Sequence, residues 1–196
     1  MSKQGLSEIV CIIDRSGSMS TIRDDAIGGF NTFLDEQKKI PGDANLTMVL
    51  FDDEYILYHD AKPLKDVPNL DTKSYVPRGM TALLDAIGKT IVKVGERLSN
   101  TPEDQKPEKV IVAILTDGQE NHSSEYKSHS KIMEMINHQR DIYSWEFIFL
   151  AANQNAIKEG AALGIKASDS YNFAPTSSGI RTAYSDMSRS IGSYRK

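Results

Sequence analysis

The sequence predicts an α/β fold: a three-layer α/β/α sandwich with a mostly parallel, doubly wound sheet and one antiparallel edge strand. Three observations predict it. Continuously apolar, β-branched runs recur along the chain, as expected of strands that helices cover on both faces. Amphipathic stripes with a period near 3.6 separate most of these runs. One pair of runs is too close for a helical crossover, so it indicates an antiparallel hairpin at one side of the sheet.

The elements follow in the order β-α-β-β-α-β-α-β-α-β-α, the alternation of a layered α/β protein. The hairpin turns at Asp52-Asp53-Glu54, and Thr176 or Ser177 is the candidate N-cap of the last helix. The predicted strands are Ile9–Asp14, Leu46–Phe51, Tyr55–His59, Val110–Leu115, Phe147–Ala152 and a weaker Ser170–Phe173. The helical stripes are Ile22–Leu34, Leu84–Leu98, Tyr126–Ile136, Ala156–Leu163 and Ile180–Ile191.

Composition narrows the class of protein. The chain has 196 residues, of which 39% are hydrophobic and 26% charged, with a formal net charge of −4. These values indicate one globular domain over residues 1–196, with roughly 70% of its surface buried on folding. The scattered basic residues argue against a nucleic-acid partner. A single cysteine, Cys11, excludes an internal disulfide and a cysteine-based zinc site.

Hydropathy predicts a cytoplasmic protein without a membrane span. No window approaches the roughly 20 apolar residues that a spanning helix needs. The N-terminal stretch lacks both the long apolar run and the small-residue cleavage site of a secretory signal.

The candidate functional residues follow the ends of predicted strands, where ligands bind in doubly wound sheets. Asp14, Ser16 and Ser18 come directly after the first strand, in DRSGSMS, and Asp117 follows the Val110–Leu115 strand, in LTDGQEN. Thr81 stands where the long aperiodic connection Asp60–Gly79 meets a helix. Taken singly, the acids could cap helices and the hydroxyls could serve turns. Together, they indicate two carboxylates and three hydroxyls that converge at one edge of the sheet.

The donor chemistry of such a cluster favours a hard divalent cation. Carboxylate and hydroxyl oxygens without imidazole or thiolate suit Mg²⁺ or Mn²⁺ better than zinc or copper. Magnesium usually keeps some water in its octahedral shell, so at least one position stays exchangeable. Two carboxylates nearly neutralise the formal charge of the ion, and the neutral hydroxyls add no further negative charge. The ion therefore stays electrophilic enough to accept an acidic ligand from outside.

At these residues the sequence resembles the von Willebrand factor type A (vWA) domain, whose metal-ion-dependent adhesion site (MIDAS) combines Asp-x-Ser-x-Ser, a downstream Thr and a later Asp. The matching residues are Asp14, Ser16, Ser18, Thr81 and Asp117, in family order. The match is to a stand-alone intracellular member of bacterial or phage-like type. The resemblance implies a protein-binding module rather than an enzyme.

The resemblance also implies roles for the individual residues. Ser16 and Ser18 would contact the metal directly, while Thr81 and the two acids would exchange between direct and water-mediated contact. A Glu or Asp of a protein partner would complete the coordination. Intracellular members of the family often work with ATPases or in complex assembly, which gives the class of partner to expect.

Several alternatives stay open at this point. A Mg²⁺-dependent phosphoryl-transfer enzyme could use Asp14 as its nucleophile, with Arg15 or Lys109 holding a phosphate, although Ser16 stands where a second carboxylate would be needed. Nucleotide binding lacks a glycine-rich phosphate loop, and a serine hydrolase lacks its G-x-S-x-G elbow. The segment from Gln119 to His122 is either a rim of the site or ordinary loop. Asp85 is either a support for the site or a helix surface charge.

Overall fold

The six strands of the computed structural model, which describes residues 2–152 and 155–196, form one sheet in the order β3-β2-β1-β4-β5-β6. Met1, Asn153 and Gln154 of the predicted 1–196 domain lie outside the described residues. The strands are β1 (Lys3–Asp14), β2 (Asp43–Phe51), β3 (Tyr55–Pro63), β4 (Pro107–Thr116), β5 (Glu146–Ala151) and β6 (Ser170–Asn172). Every pairing is parallel except that of β2 with β3 at one edge. The predicted fold class is therefore confirmed, while the single-domain organisation stays a prediction.

Helices cover both faces of this sheet. Alternate β1 residues point to opposite faces: Ile9, Cys11 and Ile13 lie in the core under α1 and α5, and Val10 and Ile12 lie in the core under the other three helices. This double burial explains why the strand reads as one continuous apolar run. The helices are α1 (Arg23–Lys39), α2 (Leu83–Ser99), α3 (His129–Tyr143), α4 (Ala156–Ala162) and α5 (Ser177–Tyr194). Thr176 is the N-cap of α5, and its side chain accepts a hydrogen bond from the Gly179 N–H.

Several element boundaries differ from the predicted ones, and three of these differences have a clear physical reason. β1 begins at Lys3 rather than Ile9, because its first three residues are exposed and the buried Ser7 and Glu8 are polar, so this stretch carries no apolar run. β3 runs on to Pro63, so the aperiodic connection is shorter than Asp60–Gly79. Tyr126 is not helical: α3 begins at His129, and the Tyr126 ring packs beside Gly88 of α2, where a Cβ atom would overlap it.

The strand order positions the candidate site. The chain proceeds outward from β1 to β2 and β3 in one direction, and from β4 to β5 and β6 in the other. The order therefore reverses between β1 and β4, and a ligand crevice is expected at the carboxyl ends of these two strands. Asp14 ends β1 and Thr116 ends β4, so Asp14 and Asp117 come out at this crevice. No described helix is long and apolar enough to cross a membrane.

Candidate metal site

Asp14 is the innermost polar residue of the candidate site. Its side chain is fully buried at the end of β1. Oδ1 accepts the Ser16 N–H at 2.6 Å and Oδ2 accepts the Thr116 hydroxyl at 2.7 Å. The Tyr75 hydroxyl donates to the Asp14 carbonyl at 2.6 Å. The bond from the Ser16 N–H to Asp14 therefore stabilises the turn that leads into the segment with both serines. Thr116 of β4 and Tyr75 of the connection before α2 fix the position of Asp14.

A chain of oxygens leads from the serines to the second acid. Ser16 Oγ lies 3.1 Å from Ser18 Oγ, and the Ser18 hydroxyl donates to Asp117 Oδ1 at 2.6 Å. Ser18 lies in a short 3-10 helix, Gly17–Ile22, that follows β1. The turn after Asp14 thus carries both serine hydroxyls toward the carboxyl end of β4.

Thr81 joins this group through its contact with Gly118. A Cβ atom at Gly118 would lie 3.3 Å from Thr81 Oγ1 and 3.9 Å from Ser18 Oγ, so both hydroxyls face the same point. The connection that carries Thr81 lies against the serine segment, where the Gly17 N–H donates to the Gly79 carbonyl at 3.1 Å. The structure therefore brings all five predicted ligand residues together: Asp14, Ser16, Ser18, Thr81 and Asp117.

An ionic cluster beside the site fastens the connection before α2. The Asp52 side chain, fully buried at the end of β2, lies 3.0 Å from Arg15 Nε and 3.3 Å from Arg78 Nε. The Arg15 contact lacks hydrogen-bond alignment, so it is an ion pair only. The Asp52 carbonyl also accepts the Ala82 N–H at 2.9 Å. Asp52 thereby binds both the Asp14 turn and the segment around Thr81.

The connection after β4 docks on the N-terminus of α2. Glu120 Oε2 accepts the Leu84 N–H at 2.8 Å, which satisfies one of the free amides of the first helical turn. In return, Asp85 accepts the backbone N–H groups of Ser124 at 3.0 Å and Tyr126 at 2.7 Å. Asp85 is therefore a buried support of this connection rather than a surface charge, and Glu120 is held inward on α2.

Burial disfavours the charged forms of Asp14 and Asp117. Burial raises the pKa of Asp14 to about 6, against the lowering effect of the hydrogen bonds from Thr116 and Ser16, and the nearby Asp117 charge adds to the rise. Burial likewise raises the pKa of Asp117, although the Ser18 hydrogen bond opposes it. A cation placed between these carboxylates would offset the cost of burying their charges and would reduce the repulsion between them.

The donor set fits a hard divalent cation. Two buried carboxylates and three hydroxyls converge, and among the described residues no group of three or more His, Cys, Asp or Glu side chains could hold a metal ion. A metal at this edge would therefore depend on the serine and threonine oxygens, which suit Mg²⁺ or Mn²⁺. The assignment of Asp14, Ser16, Ser18, Thr81 and Asp117 as metal ligands stays a prediction.

Sequence reasoning missed the residues that hold this group in place. Asp52 follows the end of β2, so the strand-end rule that selected Asp14 and Asp117 could have found it. Thr116 directly precedes Asp117 and gave a similar signal. Tyr75 lies in an aperiodic connection, and no pattern in the sequence indicated its contact with Asp14.

Comparisons with known proteins support the fold. No family model matches the sequence, and no curated protein matches it. Among solved structures, the vWF domain of the type V pili tip protein Mfa5 from Porphyromonas gingivalis is 9% identical, with a TM-score of 0.69, and the match covers 97% of this chain and 96% of that one.

Two further structures contain metal. Proximal thread matrix protein 1 from the mussel byssus, with a zinc-occupied MIDAS motif, is 16% identical with a TM-score of 0.66, over 96% of this chain. This chain spans less than half of that protein, 46% of its length. The manganese-loaded TRAP protein of Plasmodium vivax is 17% identical with a TM-score of 0.57, over 82% of this chain and 63% of that one. These similarities show that the chain has the vWA fold.

Proposed function

We propose that this chain is a non-enzymatic, divalent-metal-dependent protein-binding domain. The observation that carries the proposal is the convergence of Asp14, Ser16, Ser18, Thr81 and Asp117 at the strand-order reversal. These residues would hold Mg²⁺, or Mn²⁺ in its place, as a complete MIDAS. The metal, when bound, supplies an electrophilic centre with an exchangeable position. Metal-loaded neighbours with the same fold support this choice.

The protein's own residues prepare the site in two ways. The hydrogen bonds to Asp14 from Thr116 and Ser16 fix the orientation of its carboxylate, so little entropy is lost when a ligand binds. The Ser18–Asp117 contact holds a hydroxyl beside the second acid. A partner's Glu or Asp would then bind by charge-assisted contact, and its geometry would be set by a surface that is already in place.

The surface beside the site can choose among acidic partners. Val76 and Met80 flank Gly79 on the connection that carries Thr81, and their side chains are 44% and 47% exposed. Exposed apolar side chains next to a polar centre are typical of contact surfaces. We propose that the segments Ser18–Arg23, Val76–Met80 and Gln119–Ser123 contact the partner protein, which belongs to an ATPase or an assembly complex.

The phosphoryl-transfer alternative has weaker support. Arg15 forms ion pairs with Asp52 and Glu54, so its guanidinium is engaged with carboxylates rather than directed to a phosphate. Lys109 lies near the start of β4, whereas Asp117 follows the end of that strand. We expect no Mg²⁺-dependent turnover of phosphate esters, and a robust rate that Asp14→Asn abolishes would reverse the choice.

Crystals soaked in Mn²⁺ test the metal site directly. We expect an anomalous peak among the five proposed ligands. In solution, Ser18→Ala should weaken Mn²⁺ binding, whereas Ser20→Ala should not, because Ser20 lies in the same 3-10 helix but donates to the Gly17 carbonyl. Thr81→Val should also weaken Mn²⁺ binding, because valine lacks the hydroxyl. Thr81→Ser should bind Mn²⁺ like the wild type, because serine keeps the hydroxyl. A peak elsewhere would contradict the proposal.

Partner binding needs a second experiment. The wild-type protein and Thr81→Val are used to capture partners from source lysate in Mg²⁺ and in EDTA. A partner captured only by the wild type in Mg²⁺ is then purified, and its acidic surface residues are changed singly to amides. One such change should abolish binding measured by calorimetry. Equal affinity in EDTA would mean that recognition occurs elsewhere on the chain.

A cytoplasmic location, without membrane or nucleic-acid contact, is also part of the proposal. The fold itself does not decide it, because the similar Mfa5 is a pilus tip protein. Fractionation of source cells, with the chain detected by antibody, checks the location. Recovery outside the cytoplasmic fraction would contradict this part alone.

A further inference from the structure

Thr81 depends on outside contacts for its position. The residues from Val67 to Ala82 form neither helix nor strand after a short 3-10 turn, so the local backbone does not fix the Thr81 hydroxyl. Asp53 and Asp52 hold the backbone N–H groups of the neighbours Met80 and Ala82, and two hydrogen bonds with Asn121 hold Thr81 itself. The Thr81 N–H donates to Asn121 Oδ1 at 2.9 Å, and the Asn121 N–H donates to the Thr81 carbonyl at 3.0 Å. Both polar groups of the Thr81 backbone are thus held by one residue.

Asn121 belongs to the same connection as Asp117 and is itself braced. Its neighbour Glu120 accepts the Leu84 N–H at 2.8 Å, and Glu120 Oε1 accepts the Ser123 N–H at 2.6 Å. Farther along, Asp85 accepts the N–H groups of Ser124, Glu125 and Tyr126. The connection is therefore fastened to α2 on both sides of Asn121, and it can serve as a fixed reference for Thr81.

From this geometry we infer that Asn121 is a positioning residue for the metal site. It joins the backbone of Thr81 to the connection that begins with Asp117. The distance between the proposed ligands Thr81 and Asp117 is therefore fixed. The inference rests on the proposed function, because it assigns a role toward the proposed ligand Thr81. Asn121 acts through Thr81 and needs no contact with the metal.

The structure offers a matched control at Asn31 of α1. Asn31 Nδ2 donates to the Leu70 carbonyl at 2.9 Å, and Asn31 Oδ1 accepts the Leu70 N–H at 2.8 Å. The same residue type therefore also holds both backbone polar groups of one residue in this connection, but upstream of the site. Asn31 does so with two side-chain atoms, whereas Asn121 uses its side-chain Oδ1 and its backbone N–H, so Asn121→Ala removes only the bond to the Thr81 N–H. Loss of the Asn31 pair should loosen the connection without displacing Thr81, which Asn121 still holds.

The test measures Mn²⁺ affinity by calorimetry together with thermal melting. We expect Asn121→Ala to weaken Mn²⁺ binding about tenfold, the lower end of the effect seen for residues that orient metal ligands. Asn31→Ala should lower the melting temperature and leave Mn²⁺ affinity unchanged. Should Asn121→Ala fail to fold, Asn121→Ser replaces it, since the shorter side chain cannot reach the Thr81 N–H.

A double-mutant cycle separates positioning from general loosening. If Asn121 acts through Thr81, then Asn121→Ala should have little further effect on Mn²⁺ affinity in the Thr81→Val background. An equal loss in both backgrounds, or an equal loss in Asn31→Ala, would overturn the inference. So would wild-type affinity in Asn121→Ala while Thr81→Val binds weakly, a result that leaves the proposed function intact. Wild-type affinity in Thr81→Val would instead contradict the proposed ligand set.

Discussion

The Thr116 hydroxyl donates to Asp14 Oδ2 at 2.7 Å, and neither side chain is exposed. This buried contact joins β4 to β1. Because the Asp14 carboxylate is buried, its charged form carries a desolvation cost. The stability of the metal-free protein should therefore depend on the protonation of Asp14, and this dependence has a definite sign.

We expect Asp14→Asn to stabilise the metal-free protein at pH 7.5. Burial raises the pKa of Asp14 from its ordinary value of 3.8 to about 6, so the folded state disfavours the charged form. Stability from this group is present below pH 3.8 and is lost as the pH rises through 6. The Asp14→Asn variant should thus gain on the order of 1–3 kcal/mol of stability at pH 7.5 and only about 0.5 kcal/mol near pH 4. Urea unfolding in EDTA at both pH values measures this, and a stabilisation that does not change with pH would contradict it.

The Asp52 charge should matter more to stability than an exposed ion pair does. Asp52→Asn keeps an acceptor for the Glu54 N–H but leaves the buried Arg15 guanidinium without its main counter-charge. We expect a loss of about 3 kcal/mol in the free energy of unfolding, measured in urea. Glu134→Gln, which removes the exposed pair with Lys131, is the control and should cost at most about 0.5 kcal/mol. Similar small losses in both variants would show that the buried cluster contributes little.

Position 79 requires glycine because of its backbone conformation and because the Asp53 side chain lies close to it. Its φ is +67°, and a Cβ atom there would overlap Asp53 Oδ1, which accepts the Met80 N–H. We expect Gly79→Ala to cost at least about 2 kcal/mol and to weaken Mn²⁺ binding, because Thr81 would shift. Gly28→Ala is the matched control: Gly28 lies in α1 with no atom near its Cβ position, so alanine should stabilise the helix by about 1 kcal/mol. Thermal and urea unfolding compare the two.

The fold should not require the metal. The core already has two large apolar clusters, one on each face of the sheet. Metal at ten times its Kd adds about 1.4 kcal/mol, which corresponds to a rise of roughly 3–6 °C in Tm for a domain of this size. Calorimetric melting in EDTA and in Mn²⁺ checks this expectation. Complete unfolding in EDTA would make the site a structural one.

The fold and the candidate site differed in how far the sequence could predict them. Continuous apolar runs predicted the central segments of β1, β4 and β5, because those segments are buried on both faces of the sheet. Asp14 and Asp117 could be selected because ligands bind at the carboxyl ends of strands in doubly wound sheets. The start of β1 at Lys3 could not be predicted, since its first three residues are exposed and Ser7 and Glu8 are buried but polar.

The supports of the site depend on long-range contacts that leave no local pattern. Asn121 reaches Thr81, and Tyr75 reaches Asp14, only because of the paths of two aperiodic connections. Tyr126 was placed in a helix because its spacing fits a helical stripe. Its N–H is instead bound by Asp85 and its ring packs on α2, so tertiary contacts outweigh the local periodicity.

Both edges of the sheet make poor templates for another strand, which has a consequence for aggregation. β3 pairs irregularly with β2, with register shifts around Met48, and Ala61 has a positive φ of 48°. Pro63 ends the strand and cannot donate to a neighbour. The opposite edge, β6, has only three residues. Edge-to-edge pairing between copies is therefore disfavoured at either side, which opposes extension of the sheet into fibres.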